Sequence, residues 1–168
     1  MRTPLWVLAP TLLAATVLSA ATPSYAAHIA GQRAEITGTP AADDLKGTNG
    51  EDVVRGLGGS DAIDGRKGHD VLIGGAGDDT ITDHLGIAGQ ADDGAVDTFK
   101  GGTGNDILYV GHGDTVFAGA GDDRVNGYYL GEGDVVHCGL GKDVLVVNED
   151  LHGLHTDQCE KILVRYAG

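Results

Sequence analysis

Aspartates at a fixed spacing are the residues of this sequence with the clearest chemical potential. They occupy the sixth position of nine-residue blocks whose fourth residue is glycine and whose eighth is aliphatic. The sixth-position residues are Asp52, Asp61, Asp70, Asp79, Asp106, Asp123 and Asp143. Short carboxylates beside glycine-rich turns suit hard cations such as Ca²⁺, which takes about six to eight oxygen ligands.

The repeat also predicts the elements that hold these aspartates. Each block reads as a six-residue turn followed by a three-residue strand with one aliphatic side chain pointing inward. Two blocks make one coil of about eighteen residues, and successive coils stack about 4.8 Å apart. Asp52 should then lie over Asp70 on one edge, and Asp61 over Asp79 on the other. Carboxylates at about 5 Å repel by roughly 1 kcal/mol in water and by more at lower dielectric, which a cation between the coils would reverse.

The blocks resemble the RTX (hemolysin-type) calcium-binding nonapeptide G-G-x-G-x-D-x-U-x over most of residues 47–146. GGAGDD at 74–79 and GGTGND at 101–106 match its turn in full, whereas the other turns lack one glycine. The resemblance implies an all-β fold, a right-handed parallel β-roll (a β-solenoid) of roughly five to six coils. It further implies that Ca²⁺ is bound by the sixth-position side chains and by turn carbonyls at Gly75, Gly77, Gly102, Gly104, Gly119 and Gly121.

Three further aspartates keep part of the pattern. Asp97, Asp114 and Asp134 each have an apolar residue two positions later, but their turns are longer or shorter. We include them among the predicted calcium ligands and expect these irregular coils to bind weakly, if at all. The irregular insertion 83–96 either fills the space of one missing block or forms a surface loop, and we favour the loop. Asp92 and Asp93 within it are either ligands or solvated charges.

Composition points to cations as the natural partner. Of the 25 acidic residues 20 are aspartates, and the formal net charge is −14, which argues against nucleic acid or an anionic membrane as partner. The chain has 29 glycines and few aromatic residues, so it cannot easily build a core of large side chains.

The first 26 residues predict a Sec-type signal peptide cleaved after Ala26. An apolar run follows Met1-Arg2, small residues precede the cleavage site, and no paired arginines occur. The alternative, a membrane anchor, is disfavoured because Pro10 interrupts a run shorter than the roughly 20 residues of a bilayer span. We therefore expect a secreted, extracellular protein without a membrane span. Residues 27–46 would form an N-terminal segment or cap with a strand at Ala34–Ile36, followed by the β-roll at 47–146.

The C-terminal residues 147–168 are predicted to cap the last coil. Cys138 and Cys159 form a disulfide if the chain is exported, and the rival interpretation is a reactive thiol beside His137. The cysteine-containing ending also resembles the tail of small secreted bacterial proteins that carry these repeats. An exposed last coil would need such a cover.

No catalytic constellation is found in the sequence. Ser60 is the single serine after the signal peptide, and His152 and His155 lack a third zinc ligand. Tyr128-Tyr129 forms either a sugar-binding patch or ordinary packing. We therefore predict a calcium-binding structural or adhesive module, with extracellular polysaccharide or the cell envelope as a possible partner. The alternative is a small carbohydrate-active enzyme on a β-solenoid. The oligomeric state stays open.

Overall fold

Within the part of the chain that the structure describes, every regular element is a β-strand. The computed structural model describes residues 33–83, 94–127, 130–148 and 153–165, together with the backbone of 16–18. The strands are β1 (Thr16–Leu18), β2 (Glu35–Thr37), β3 (Asp44–Lys46), β4 (Val53–Gly58), β5 (Ala62–Asp64), β6 (Val71–Ala76), β7 (Thr80–Thr82), β8 (Thr98–Thr103), β9 (Ile107–Val110), β10 (Thr115–Ala120), β11 (Arg124–Gly127), β12 (Val135–Leu140), β13 (Val144–Val147), β14 (His155–Asp157) and β15 (Lys161–Val164).

These strands alternate between two parallel sheets. One sheet has the order β1-β2-β4-β6-β8-β10-β12-β14, and the other β3-β5-β7-β9-β11-β13-β15. From β2 onward each strand of one sheet is therefore followed by a strand of the other, which produces a β-solenoid of about six turns. The predicted all-β parallel fold is confirmed.

Apolar side chains from strands β3 to β13 fill the narrow space between the sheets. In register across the first sheet these residues include Val54, Leu72, Phe99, Val116 and Val136, all fully buried. Across the second sheet, Ile63, Ile81, Leu108, Val125 and Leu145 form the matching column. The eighth position of the repeat is thus the core position, because alternate residues of a strand face opposite sides.

The predicted insertion lies in a coil that is longer than the others. The stacked residues Asp70 and Asp97 are 27 positions apart, whereas Asp52 and Asp70 are 18 apart. Among the described strands, β7 and β8 follow one another and belong to different sheets. Because β6 pairs directly with β8 and β7 with β9, both ladders continue across the insertion, and the expectation of a loop stays a prediction. Residues 84–93 lie outside the described part of the chain.

Both ends of the described solenoid add strands to the sheets. The strand expected at Ala34–Ile36 is found at Glu35–Thr37, and residues 38–46 form a further turn and strand. At the other end, β14 and β15 extend the two sheets, and Cys138 is joined to Cys159 by a disulfide with its Cα atoms 5.0 Å apart. Most of the predicted signal peptide falls outside the described residues, although β1 pairs with β2. Across the described ranges no helix is long and apolar enough to cross a membrane.

Candidate metal sites between the coils

The repeat aspartates, regular and irregular, line two edges of the solenoid. The first edge consists of the turns before the strands of the eight-stranded sheet and carries Asp52, Asp70, Asp97, Asp114 and Asp134. The second edge leads into the seven-stranded sheet and carries Asp43, Asp61, Asp79, Asp106, Asp123 and Asp143. All of them except the half-buried Asp43 are at most 2% exposed. The predicted stacking of Asp52 on Asp70 and of Asp61 on Asp79 is confirmed.

One carboxylate oxygen of each fully buried aspartate on these edges is held by the preceding coil. On the second edge, the backbone N–H of Asp61 donates to Oδ1 of Asp79 at 2.8 Å, and that of Asp79 donates to Oδ1 of Asp106 at 2.9 Å. The same bond recurs through Asp123 and Asp143, whose own N–H donates to Oε2 of Glu160 at 2.7 Å. The first edge has the same series of five bonds. The first is donated by the N–H of Ala34, and the last is accepted by Oδ1 of Asp134. These bonds set the carboxylates in rows with a common orientation.

The turns differ in whether a protein group donates a hydrogen bond to the second carboxylate oxygen, Oδ2. In five turns of the second edge, Oδ2 is buried and no protein group donates to it. These oxygens belong to Asp61, Asp79, Asp106, Asp123 and Asp143. A buried carboxylate oxygen without a partner is costly, so the site calls for a bound cation or a proton.

In four less regular turns, the protein itself supplies donors to Oδ2. The N–H and hydroxyl of Thr39 donate to Asp43 at 2.5 and 2.9 Å. The corresponding groups of Thr48 donate to Asp52. Gly111 N–H donates to Oδ2 of Asp114 at 2.8 Å, and Gly131 N–H donates to Oδ2 of Asp134 at 2.6 Å.

Backbone carbonyls of neighbouring coils border the unpartnered oxygens. The α-carbon of Gly101 has Oδ2 of Asp106 beside it on its inward side, together with the carbonyl oxygen of Ala118 from the next coil. Gly74 has the same two kinds of neighbour in Asp79 and in the carbonyl of Gly101. Carboxylate and carbonyl oxygens of adjacent coils therefore converge, which is the donor set that Ca²⁺ prefers.

The turn glycines predicted as carbonyl ligands stack from coil to coil in two columns. One column contains Gly75, Gly102 and Gly119, and the other contains Gly77, Gly104 and Gly121. All six have positive φ, and within each column the carbonyl of one glycine faces the next glycine. These carbonyls could contribute oxygens to ions held between the coils.

Burial changes the titration of the stacked carboxyls. Burial raises the pKa of Asp106 to about 7, against a lowering effect of the Asp79 N–H and with a further rise from the charges of Asp123 and Asp79. Burial likewise raises the pKa of Asp61 and Asp123 to about 6 and raises that of Asp79 and Asp143. On the first edge, burial raises the pKa of Asp114 to about 7. The metal-free solenoid therefore disfavours the ionised form of these groups.

A further acidic cluster includes a residue that the sequence analysis missed. Asp83, Asp97 and Asp114 are all buried, and one carboxylate oxygen from each lies within 4.8 Å of the others. Asp83 directly follows the strand residues of a regular block, at the position where the next block would begin with glycine. An aspartate at that position of the repeat was the feature of the sequence that could have indicated it. Asp43 was missed as well, although Gly38, Asp43 and Leu45 keep the first, sixth and eighth positions of the repeat.

Several residues weighed in the sequence analysis lie outside the described part of the chain. They are Asp92, Asp93, Tyr128, Tyr129 and His152. The described residues of the other predicted sites all belong to the two edges or to the disulfide.

Comparison with known proteins agrees with this geometry. The family model for the RTX calcium-binding nonapeptide repeat (4 copies) matches residues 37–72, 67–86 and 92–125, together half of the chain. No curated protein and no solved structure gives a significant match. The repeats and the stacked buried aspartates together indicate calcium binding. The chain belongs to the RTX calcium-binding nonapeptide-repeat family.

Proposed function

We propose that this chain is a secreted calcium-binding protein whose coils are joined by Ca²⁺, so that its folding depends on extracellular calcium. The observation that carries the proposal is the row of buried Oδ2 atoms without a protein donor on the second edge. A calcium ion supplies positive charge and accepts several oxygen ligands at once. The candidate ligands are the ten aspartates predicted from the sequence, seven of them at the sixth position of a block, and the six turn carbonyls.

The protein's own residues prepare these sites in two ways. The N–H of each aspartate fixes Oδ1 of the next coil, which leaves Oδ2 turned into the solenoid. The strands then hold neighbouring carboxylates at the sheet spacing of about 4.8 Å, a distance at which like charges repel and a shared cation attracts both. Calcium binding and coil stacking are therefore expected to occur together.

The proposed location follows from two features. A disulfide joins Cys138 and Cys159, and disulfides persist in oxidising compartments outside the cytosol. The N-terminal residues also have the pattern of a cleavable signal peptide. In the extracellular space, calcium is available at the millimolar level for which extracellular modules are tuned. We further propose a structural or adhesive role at the cell exterior.

The test is a far-UV circular dichroism titration of the purified protein, starting in chelator and adding Ca²⁺ or, separately, Mg²⁺. We expect a cooperative gain of β signal with calcium. Mg²⁺ should give little change, because it is smaller and demands near-octahedral geometry. Asp79→Asn should raise the calcium midpoint. Its neighbour Asp78 is exposed, so Asp78→Asn is the matched control for loss of charge and should leave the midpoint nearly unchanged.

A protein that is fully folded in chelator, with neither its spectrum nor its melting temperature altered by calcium, would contradict the proposal. Equal effects of Asp78→Asn and Asp79→Asn would show that general charge repulsion, and not binding at the buried aspartates, governs folding.

A further inference from the structure

We propose that the protein, once residues 1–26 are removed, assembles head to tail, with the last coil of one copy stacking on the first coil of the next. This contact, the joint, pairs β14 and β15 of one copy with β2 and β3 of a second copy. The inference rests on the proposed calcium-dependent folding and on the proposed signal-peptide cleavage. It adds an interaction surface to the proposed function and identifies the partner as a second copy of this chain.

The C-terminal end of the described solenoid presents two strand edges. Among the described strands, β14 and β15 are the outermost members of their sheets, so each pairs on one side. Ile162 continues the core column after Leu145, but it is 42% exposed, whereas Leu145 is fully buried. The disulfide between Cys138 and Cys159 ties the segment between β14 and β15 to β12. A sheet edge beside an exposed core position is a template for another strand.

The N-terminal end has a strand edge of the same kind. β1 pairs with β2 in parallel, with Val17 opposite Ile36, so the edge of β2 accepts a parallel strand. Cleavage after Ala26 removes β1 and leaves β2 at the edge of the eight-stranded sheet. In the described part of the chain, β3 is already the outermost strand of the seven-stranded sheet. After cleavage, two parallel strands at one end can therefore pair with two at the other.

Continuing the register across the joint brings complementary side chains together on the outer faces. In the seven-stranded sheet, the outward column that starts at Asp44 ends at Lys161. In the eight-stranded sheet, the column from Glu35 ends at His155. All four side chains are exposed. The joint places Lys161 opposite Asp44 and the imidazole of His155 opposite Glu35, and cross-strand pairs of opposite charge are favourable.

The interior of the joint continues the core and the hydrogen bonds of the second edge. Ile162 would pack on Leu45, the first residue of its core column. Glu160 stands at the aspartate position of the last coil, because the N–H of Asp143 donates to its Oε2. In the regular gaps, the N–H at this position donates to Oδ1 of the next coil. Oδ1 of Asp43 is the corresponding acceptor, since the described residues donate only to its Oδ2.

The joint produces an open-ended assembly. The two ends are different surfaces, so the contact is heterologous, and each added copy brings a new end for the next. Because the solenoid continues along its own axis across the joint, the contact does not close into a ring. The expected product is a linear filament, which accords with the proposed structural role at the cell exterior.

Charge reversal at the two ends tests the joint. The protein is purified after export and studied by sedimentation velocity at increasing protein concentration in saturating calcium. We expect the unmodified protein to form species that lengthen with concentration. Lys161→Glu and Asp44→Lys, each alone, should raise the concentration required for assembly about tenfold, because each places like charges opposite one another. Lys100→Glu makes the same charge change on the exposed middle of the eight-stranded sheet and should assemble as the unmodified protein does.

Mixing the two single variants distinguishes the joint from a loss of stability. In the mixture, the C-terminal end of Lys161→Glu meets the N-terminal end of Asp44→Lys, and the reversed charges attract. The other two ends retain the original charges. The mixture should therefore assemble at nearly the concentration of the unmodified protein, which two misfolded variants could not do. If either variant does not fold by circular dichroism, Glu35→Lys and His155→Glu apply the same comparison on the other sheet.

The outcomes separate this inference from the proposed function. Assembly that is weakened in each variant and restored by mixing supports the joint. A protein that folds with calcium but stays monomeric at every concentration overturns the joint and leaves calcium-dependent folding standing. Assembly that neither variant weakens overturns the joint, and so does an exported protein that retains β1. A protein that does not fold with calcium overturns both proposals.

Discussion

Replacing Gly121 by alanine tests whether the coils are packed as closely as the stacked turns require. Gly121 has a φ of +138°, and a Cβ at this position would lie 1.9 Å from the carbonyl oxygen of Gly104 in the preceding coil. Gly133 offers a control with a φ of +101°, where a Cβ would meet nothing within 4 Å. Both substitutions place alanine at a backbone position with positive φ, and only Gly121→Ala also brings a Cβ into contact with the neighbouring coil.

The expected loss follows from these contacts. Positive φ costs a non-glycine residue roughly 1–2 kcal/mol, partly offset because alanine restricts the unfolded chain, so Gly133→Ala should lose about 1 kcal/mol. Gly121→Ala must in addition move the coils apart by about 1.5 Å to restore ordinary contact. That movement stretches the bonds from Gly104 N–H to Ala120 and from Asp122 N–H to Asn105. Together with the cost of positive φ, the weakened hydrogen bonds bring the expected loss of folding free energy for Gly121→Ala to about 4 kcal/mol.

The assay is the calcium titration of folding by circular dichroism. A loss of about 4 kcal/mol lowers the folding equilibrium constant roughly a thousandfold. If about four ions bind on folding, mass action raises the calcium midpoint of Gly121→Ala about fivefold. Gly133→Ala should raise it by less than about twofold. Equal midpoints for the two variants would refute the close stacking of the turns and with it the convergence of oxygens between coils.

Two further predictions concern protons and the disulfide. In chelator, the β signal should increase as the pH is lowered from 8 to 5, because the raised pKa values of Asp61, Asp106 and Asp123 make the folded state bind protons more tightly than the unfolded chain. This stabilisation is lost as the pH rises through about 6 to 7. In the presence of limiting calcium, the calcium concentration at the folding midpoint should instead be higher at pH 5, because protons compete with the ion for the carboxylates. A chelated protein whose β signal does not change with pH would contradict the presence of these buried charges. Replacing Cys138 and Cys159 by serine should cost about 3 kcal/mol in the loop-entropy account, seen as a lower melting temperature at saturating calcium. Reductant should produce the same loss in the unmodified protein and no loss in the double variant.

The regular part of the fold could be predicted from the period alone. Nine residues with an aspartate at the sixth position and an aliphatic residue at the eighth specify a turn and a strand, and Leu72 and Ile81 do face the core from opposite sheets. The edge to which Asp97 belongs could not be read in this way. Eighteen residues after Asp79 would place it on the second edge, but it stacks on Asp70, 27 residues earlier, nine more than the regular coil of eighteen.

The sequence could not show what contacts Oδ2 in each kind of turn. Asp106 follows a regular turn and Asp114 a shorter one, but both are aspartates followed by a strand, and both are fully buried. Their difference depends on whether a backbone N–H of the same turn reaches Oδ2, which is decided by local backbone geometry. The repeat pattern records side-chain types and does not record the direction of N–H groups. Irregular turn length marked Asp114 and Asp134 in the sequence, and in the structure Oδ2 of each accepts an N–H of its own turn. That these coils bind calcium more weakly stays a prediction.

The stacking of strands has a consequence for how such a chain can evolve. Each strand hydrogen-bonds only to the strands one coil before and one coil after it, and the long coil between Asp70 and Asp97 is accommodated without disturbing the register on either side. Gene duplication or deletion of eighteen residues would therefore change the length of the molecule while leaving every remaining interface intact. We therefore expect coil number to vary more readily than the aspartates that join one coil to the next.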